Sequence, residues 1–268
     1  NCFKQYFSPA IFYLIDKNKY ELKYNYMNNN LIKNRLSELF PELINQIEKE
    51  FDFDKLEVYF EFLKEYNEAG GFFSKSDTEN ILDRHIIESI FHVHRILSFY
   101  PVSHETKLAD IGTGPGLPGY IFFCLSNAPT ITLVDSQMRR LGILEKFHKE
   151  KFKDKKVNFI YGRVEDLKEK FDLVVMRSTV KYPWSAEMIY KLLKTNSIFI
   201  PFLGRRNYDL DFEKKMLENL GLKIEKEIDL DELEFLGKRH LKLLKKVTES
   251  KKGFPRSWEA ISKEIKRT

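Results

Sequence analysis

The sequence predicts an α/β protein built on a doubly wound, mostly parallel sheet and preceded by a helical cap. Three observations carry that expectation. The stretch KLADIGTGPGLPGYIF, Lys107 to Phe122, runs from a short apolar segment through closely spaced glycines into a second apolar segment, the order strand, glycine turn, helix. Downstream of it, short apolar runs alternate with segments of helical period, the βαβ pattern of a parallel sheet. Upstream, from Leu31 to Leu97, apolar residues recur at helical spacing.

Taken in order, residues 1–26 are rich in Asn, Tyr and Lys and show no sustained helical period. They are expected to be a disordered or upstream extension, with Met27 as the natural start. Residues 27–100 form the expected helical region. Leu36, Leu39 and Phe40, then Leu56, Tyr59, Phe60 and Leu63, then Ile86, Ile87, Ile90, Val93 and Leu97 mark three or four helices. Asn67 to Thr78 interrupts them as a glycine-containing hinge, with Asp77 or Thr78 placed to cap the next helix. Residues 101–248 hold the expected sheet, with strands at Leu108–Ile111, Ile131–Val134, Val157–Tyr161, Phe171–Met176 and Ser197–Leu203. Helical segments at Tyr120–Leu125, Arg139–Lys151 and Pro183–Leu193 separate them, and Leu222–Ile228 and His240–Val247 extend the sheet. Residues 249–268 are expected to be a basic tail.

Composition narrows the function classes. A chain of 268 residues with 43% hydrophobic content can bury a substantial core. No apolar run approaches the roughly 18 residues needed to span a bilayer, and the short patch Pro9 to Ile15 lacks a cleavage signature, so no membrane association is expected. Cys2 and Cys124 lie far apart, and a free buried thiol at Cys124 fits a reducing cytoplasm. From Lys238 to Thr268, eight Lys and three Arg stand against three Glu, a local excess of +8 in a chain whose net charge is +5. That asymmetry points to a polyanion partner, RNA or an anionic surface, or to a solvated lysine-rich end.

The glycine turn carries the first chemical inference. Glycine lets a backbone pass close beneath a bulky ligand, and the helix that follows offers unpaired N–H groups, so a nucleotide-like cofactor fits. Asp135 ends the second strand, 23 residues after Gly112, where an acid can accept from ribose hydroxyls or cap the helix near Met138. Gly162-Arg163-Val164-Glu165-Asp166 follows the third strand, placed either to face an adenine or to cap a helix. Arg177 ends the fourth, where it needs an anionic partner, and Ser178 and Thr179 follow. His85, His92 and His94 lie close in sequence without a further ligand to complete a set, and no metal is expected.

Asp110 two residues before three alternating glycines resembles the first motif of class I S-adenosylmethionine (SAM) methyltransferases, whose sheets end in an antiparallel pair. The amino-group signature Asn-Pro-Pro-Tyr and a paired-cysteine arrangement are both absent. Together DIGTGPGLPG, TLVDS, GRVED, FDLVVMRS and GKRHL, in that order, resemble the RsmG (GidB) family of bacterial SAM-dependent methyltransferases acting on guanine N7 in small-subunit (16S) ribosomal RNA. DRHIIESI, Asp83 to Ile90, resembles that family's RHxxDS helix with Glu88 in place of the usual Asp. The likeness covers Leu31 to Val247, and it departs at Asn67-Glu68-Ala69-Gly70-Gly71, where the family carries Asn-Leu-Thr.

The resemblance implies SAM contacts from Gly112, Gly114, Leu117, Val164, Glu165 and Arg177, with Asp135 as the ribose partner. It implies an RNA face at Arg84, His85, Arg239 and His240, to which the basic end adds Lys245 and Lys246. Guanine N7 has a free lone pair and no proton to lose, so no catalytic acid or base is expected; positioning suffices. A flipped guanine could stack on Phe72, Phe73, Tyr182 or Trp184, although core roles compete for each. The expected partner is small-subunit rRNA or the assembling subunit, met by a monomer. Three alternatives stay open: a class I methyltransferase with another acceptor, an NAD-dependent oxidoreductase using Gly114-Pro115-Gly116-Leu117-Pro118-Gly119, and a non-catalytic RNA-binding assembly factor with a retained SAM fold.

Overall fold

The central strand β1, Lys107–Ile111, is buried from Leu108 onward because neighbours cover both faces of a parallel sheet. The computed structural model describes residues 30–267; the extension expected at 1–26 and the start at Met27 lie outside them. Six more strands complete one sheet: β2 Thr130–Asp135, β3 Val157–Tyr161, β4 Phe171–Arg177, β5 Leu193–Leu203, β6 Leu222–Asp229 and β7 His240–Lys246. Their order is β3-β2-β1-β4-β5-β7-β6. The first five run parallel, and β7 pairs antiparallel with both β5 and β6. After β3 the chain returns across the sheet to β4, so the switch point lies between β1 and β4, where the glycine turn leaves β1.

The cap consists of α1 Leu31–Leu39, α2 Ile44–Glu50, α3 Phe53–Gly70, the single turn α4 Lys75–Thr78, and a π-helical turn Leu82–Ile87 that runs into α5 Glu88–Leu97. Asp52 caps α3 through Lys55 N, and Gly71 ends it in the left-handed conformation. The cap and the sheet share one apolar core, in which Leu36, Leu56, Phe91 and Leu108 all take part. Phe62 of α3 stacks on Phe147 of α7, Met138–Lys151, at 4.1 Å between centroids. Tyr59 donates to the carbonyl of Pro115 at 3.0 Å, which ties the cap directly to the glycine turn.

Two expectations for the connecting loop change. Asp77 and Thr78 do not cap the π-helical turn: Asp77 accepts from Ser74 and Arg84, while Thr78 accepts from Asn67 Nδ2 and donates to Ser74 O. Asn67 Oδ1 also accepts from Phe73 N, so side chains cross-brace the stretch expected to act as a hinge. Further along lie α6, Gly119–Phe123, and α8, Trp184–Ile189. Helix α9, Leu210–Leu220, between an Asp209 cap and a left-handed Gly221, has no counterpart among the expected elements.

The basic end is docked, not free. Within it, α10, Trp258–Ile265, buries Ile261 and is capped by Ser257. Arg256 forks onto Glu187 of α8 at 2.7 Å, and Glu264 reaches Trp184 Nε1 at 2.9 Å. Glu187 has no exposed side-chain surface, so Arg256 neutralises a carboxylate that water does not reach. Arg256→Ala should lower stability by roughly 3–5 kcal/mol, the usual cost of stranding a buried charge. Urea denaturation of the full chain checks this, and a loss below about 1 kcal/mol would count against the docking.

Candidate active site

The turn after β1 is shaped by a buried acid. Asp110 Oδ2 accepts from Thr113 Oγ1 at 2.6 Å and from Gly119 N at 2.8 Å, closing the turn over the strand that leads into it. Burial pushes the Asp110 carboxyl up to about 6, and its second oxygen, Oδ1, has no hydrogen-bond partner among the described residues. Gly112 and Gly114 both sit at positive φ, +70° and +57°. A Cβ on Gly112 would lie 2.1 Å from Thr179 Oγ1, whereas one on Gly114 would project into open space with nothing within 4 Å. The turn therefore leaves a bare backbone cradle, which suits a nucleoside-sized group.

Asp135 ends β2 beside that cradle. Its Oδ2 accepts from Gly114 N at 2.7 Å and its Oδ1 from Gln137 N at 2.7 Å, so the acid holds the turn and the entry to α7 at once. No side chain caps the short turn Val164–Asp166 after β3, and Glu165 is exposed. Arg177 ends β4 and reaches Ser89 Oγ at 3.4 Å. Ser178 follows at φ +54°, a strained conformation for a residue with a side chain.

A cleft of about 1000 Å³ joins these residues at the carboxyl ends of the strands. Gly112, Gly114, Leu117, Asp135, Val164 and Glu165 all line it. Arg177 joins them, as do Arg84, His85 and Arg239 from the expected RNA face. Five arginines and no lysine form its charged wall, a choice that favours planar, bidentate recognition of anions. His85, carried by the π-helical turn, stacks on Phe73 at 4.0 Å with 18° between the rings. Burial and the nearby Arg177 charge lower its pKa to about 4, so the ring is neutral at pH 7.

Three residues expected at the RNA face lie outside the cleft. His240 is buried, with Nδ1–H donating to Gly204 O at 2.7 Å and Nε2 facing the Tyr208 hydroxyl at 3.0 Å. Lys246 has a side chain only 3% exposed, packed over Tyr190 and paired with Glu249. Lys245 pairs across the strands with Glu225 at 3.4 Å. None of the three lines the cleft. Among the aromatics offered for stacking, Tyr182 is buried with its hydroxyl on Glu213, and Trp184 is buried against α10. Phe72 packs on Phe62, which leaves Phe73 as the half-buried ring in the cleft. The three neighbouring histidines diverge, since His94 turns to Glu50 at 2.7 Å and His92 to a backbone carbonyl.

Sequence reasoning did not single out Arg140, Arg163, His92 or Phe202 as parts of the site, yet all line the cleft. Arg163 carried a signal, as the residue between Gly162 and Val164 at a strand end. Phe202 and His92 carried none, because each looks like core until the helix and strand that bear them meet.

This strand order, with its antiparallel β7, a glycine cradle at the switch point and an acid ending β2 beside it, is that of a class I methyltransferase. The model of the GidB family, rRNA small subunit methyltransferase G, matches residues 52–241, and the chain belongs to that family. The ribosomal RNA small subunit methyltransferase G of Leptospira biflexa serovar Patoc (strain Patoc 1 / Ames) is 45% identical over 241 residues, covering 88% of this chain and 96% of its own. That of Leptospira interrogans (strain Fiocruz L1-130) is 47% identical over 235 residues, 88% of this chain and 92% of its own. That of Mycoplasma capricolum is 29% identical over 219 residues, 80% and 91% respectively. Membership makes the chain a methyltransferase with a SAM-type donor, which sets aside the dinucleotide alternative. The cradle fits such a donor, with bare backbone at Gly114 and open space above it.

Two glycine substitutions separate backbone strain from crowding. Gly114→Ala should cost roughly 1–2 kcal/mol from its left-handed φ alone. Gly112→Ala should cost more, because its methyl must also displace Thr179. Thermal unfolding of the two variants checks the order, and equal losses would remove the Thr179 contact from the account.

Proposed function

We propose that the chain transfers the methyl group of S-adenosylmethionine to N7 of a guanine in small-subunit (16S) ribosomal RNA. The observation that carries the reading is the single cleft in which the glycine cradle and Asp135 adjoin a wall of five arginines. Family membership, and relatives named as ribosomal RNA small subunit methyltransferases, support it.

When bound, SAM supplies a sulfonium methyl group. Gly112, Gly114, Leu117, Asp135, Val164, Glu165 and Arg177 are the residues that would hold it. Leu117 and Val164 offer apolar walls, and Asp135 offers carboxylate lone pairs beyond those taken by the two amides. Arg84, His85 and Arg239 face the RNA. Arg177, Ser178 and Thr179 stand where the two halves of the cleft meet, so Arg177 can serve donor and acceptor together.

No residue needs to move a proton, because guanine N7 carries a lone pair and no hydrogen. Asp110 is the one acid near the turn with a pKa raised toward neutrality, and it faces Thr113 and Gly119 instead of lining the cleft. Catalysis then comes from alignment and exclusion of water. A guanine stacked within a duplex is shielded, so the target must be unpaired or flipped. The partner is the naked rRNA or the assembling subunit, in the cytoplasm, met by a monomer. Among the described residues no helix is long and apolar enough to cross a membrane.

The test uses labelled SAM and small ribosomal subunits from a strain lacking its own enzyme, followed by nucleoside digestion. Label should appear as 7-methylguanosine. Label in another nucleoside would move the acceptor, and SAM binding without transfer would favour a non-catalytic assembly factor. Arg177→Ala should weaken SAM binding or turnover by roughly tenfold or more, the worth of a charged hydrogen bond, with melting unchanged. Unchanged activity would remove Arg177 from the site.

A further inference from the structure

The cleft has a second half that the donor does not need. Asp135 and Val164 follow β2 and β3, whereas Phe202 lies near the end of β5 and Arg239 just before β7. From β2 to β5 is three strand spacings, about 14 Å at roughly 4.8 Å each, enough for a nucleoside donor and a second flat group side by side. Helix α5 covers that second half. His92 stacks on Phe202 at 4.6 Å with 10° between the rings, and Glu88 bonds Arg239 Nε at 2.6 Å.

A count of donors and acceptors there does not close. His92 Nδ1 lies 2.7 Å from the backbone carbonyl of Glu88, which can only accept, so Nδ1 carries the hydrogen. Burial pushes this histidine down to about 4, and a neutral ring with its hydrogen on Nδ1 presents Nε2 as a bare acceptor. Nε2 is buried and has no partner among the described residues. Glu88 sits one helical turn away with a side chain 11% exposed. Burial opposes its ionisation, but Arg239 and Arg177 hold the carboxyl below its usual range. Its Oε1 accepts from Arg239, while Oε2 takes no hydrogen bond from the described residues. Glu88 and His92, one helical turn apart on α5, both line the cleft beside the flat wall of Phe73 and His85. A buried acceptor left unpaired in a native protein, as His92 Nε2 is, marks a missing donor.

We propose that Glu88 and His92 select the target base, Oε2 and Nε2 each accepting one of the two donors, N1–H and N2–H, on the Watson–Crick edge of guanine. The inference rests on guanine being the acceptor of the methyl group. Guanine presents two adjacent donors, N1–H and N2–H, on that edge; at the same two positions adenine presents a bare N1 and a C–H, its one donor, the N6 amino group, standing where guanine has O6, so two acceptors placed for N1 and C2 disfavour it. N7 lies across the purine from N2, so a grip on this edge leaves N7 free to meet the methyl group. Arg177 lines the cleft where its two halves meet and can donate to O6.

The experiment uses small-subunit RNA ligated to carry guanosine or inosine at the position where the label of the previous assay maps. Inosine keeps N1–H and lacks the N2 amino group. The wild-type enzyme should favour guanosine over inosine in kcat/KM by roughly tenfold to a hundredfold. Glu88→Gln and His92→Phe should each lose roughly tenfold or more on guanosine, with SAM affinity by calorimetry held within about twofold. In at least one of them the preference for guanosine should shrink to under about threefold, which a merely structural role would not produce. Equal use of guanosine and inosine by the wild-type enzyme overturns the proposal without help from any variant, as does an unchanged preference in both variants. If no 7-methylguanosine forms on the guanosine substrate, the proposed reaction itself fails and this inference falls with it.

Discussion

The fold of the site depends on one buried carboxylate. Asp110 lies inside the sheet, where ionisation is opposed by burial and favoured by what donates to it and by the Arg177 charge. Its donors, Thr113 Oγ1 and Gly119 N, come from the two ends of the glycine turn, so satisfying the acid and folding the turn are the same event. Position 119 must then be glycine, because a Cβ there would sit 2.6 Å from Asp110 Cβ. Two further bonds make the turn a junction for the molecule. Gly114 N reaches Asp135 of β2, and Pro115 O receives Tyr59 from the cap. Sheet, turn and cap are registered through a few polar contacts inside an otherwise apolar core.

Much of this was legible in the sequence, for a physical reason. Strands buried on both faces, such as β1 and β2, read as short apolar runs bounded by turn residues, and β1 to β4, β6 and β7 fall within one or two residues of their expected ends. Strand β5 starts four residues early, at Leu193, because Leu193 pairs with Phe171 ahead of a register shift that the polar run Lys194-Thr195-Asn196 conceals. The cofactor half of the site was readable because its parts follow strand ends. The other half was not, since His92 and Phe202 acquire meaning only when α5 crosses β5. Periodicity places His92 on a helix; it does not say what that helix covers.

Charge counting misled for a similar reason. The excess of +8 from Lys238 onward is real, but charge sums ignore partners. Lys242 has a side chain 1% exposed and pairs with Glu213 and Glu227, Lys246 pairs with Glu249, and Arg256 with Glu187 and Glu264. Several of those acids lie outside the segment, so a count confined to it could not balance them. Cations that face a carboxylate at home contribute little to a polyanion's field, and less when desolvated. The arginines lining the cleft come from five separate places in the chain, so no local window reveals them.

The same bookkeeping clarifies Asp135, for which two roles competed. As a cap for the helix after β2 it would be structural, and as a ribose partner functional. Geometry removes the choice. A carboxylate has about four lone-pair sites, and Gly114 N and Gln137 N take one on each oxygen. Those two amides fix the plane of the group beside the cleft and leave its remaining lone pairs directed by backbone instead of by a freely turning side chain. Asp135 does not cap that helix, whose N-cap is Gln137 without a side-chain bond, but it holds the turn that leads into it, and an acceptor already held in place would lose little freedom when a hydroxyl donates to it. Glu88, held by Arg239, follows the same logic in the other half of the cleft. In both halves protein donors orient the carboxylate, two amides at Asp135 and one guanidinium at Glu88, and lone pairs are left over.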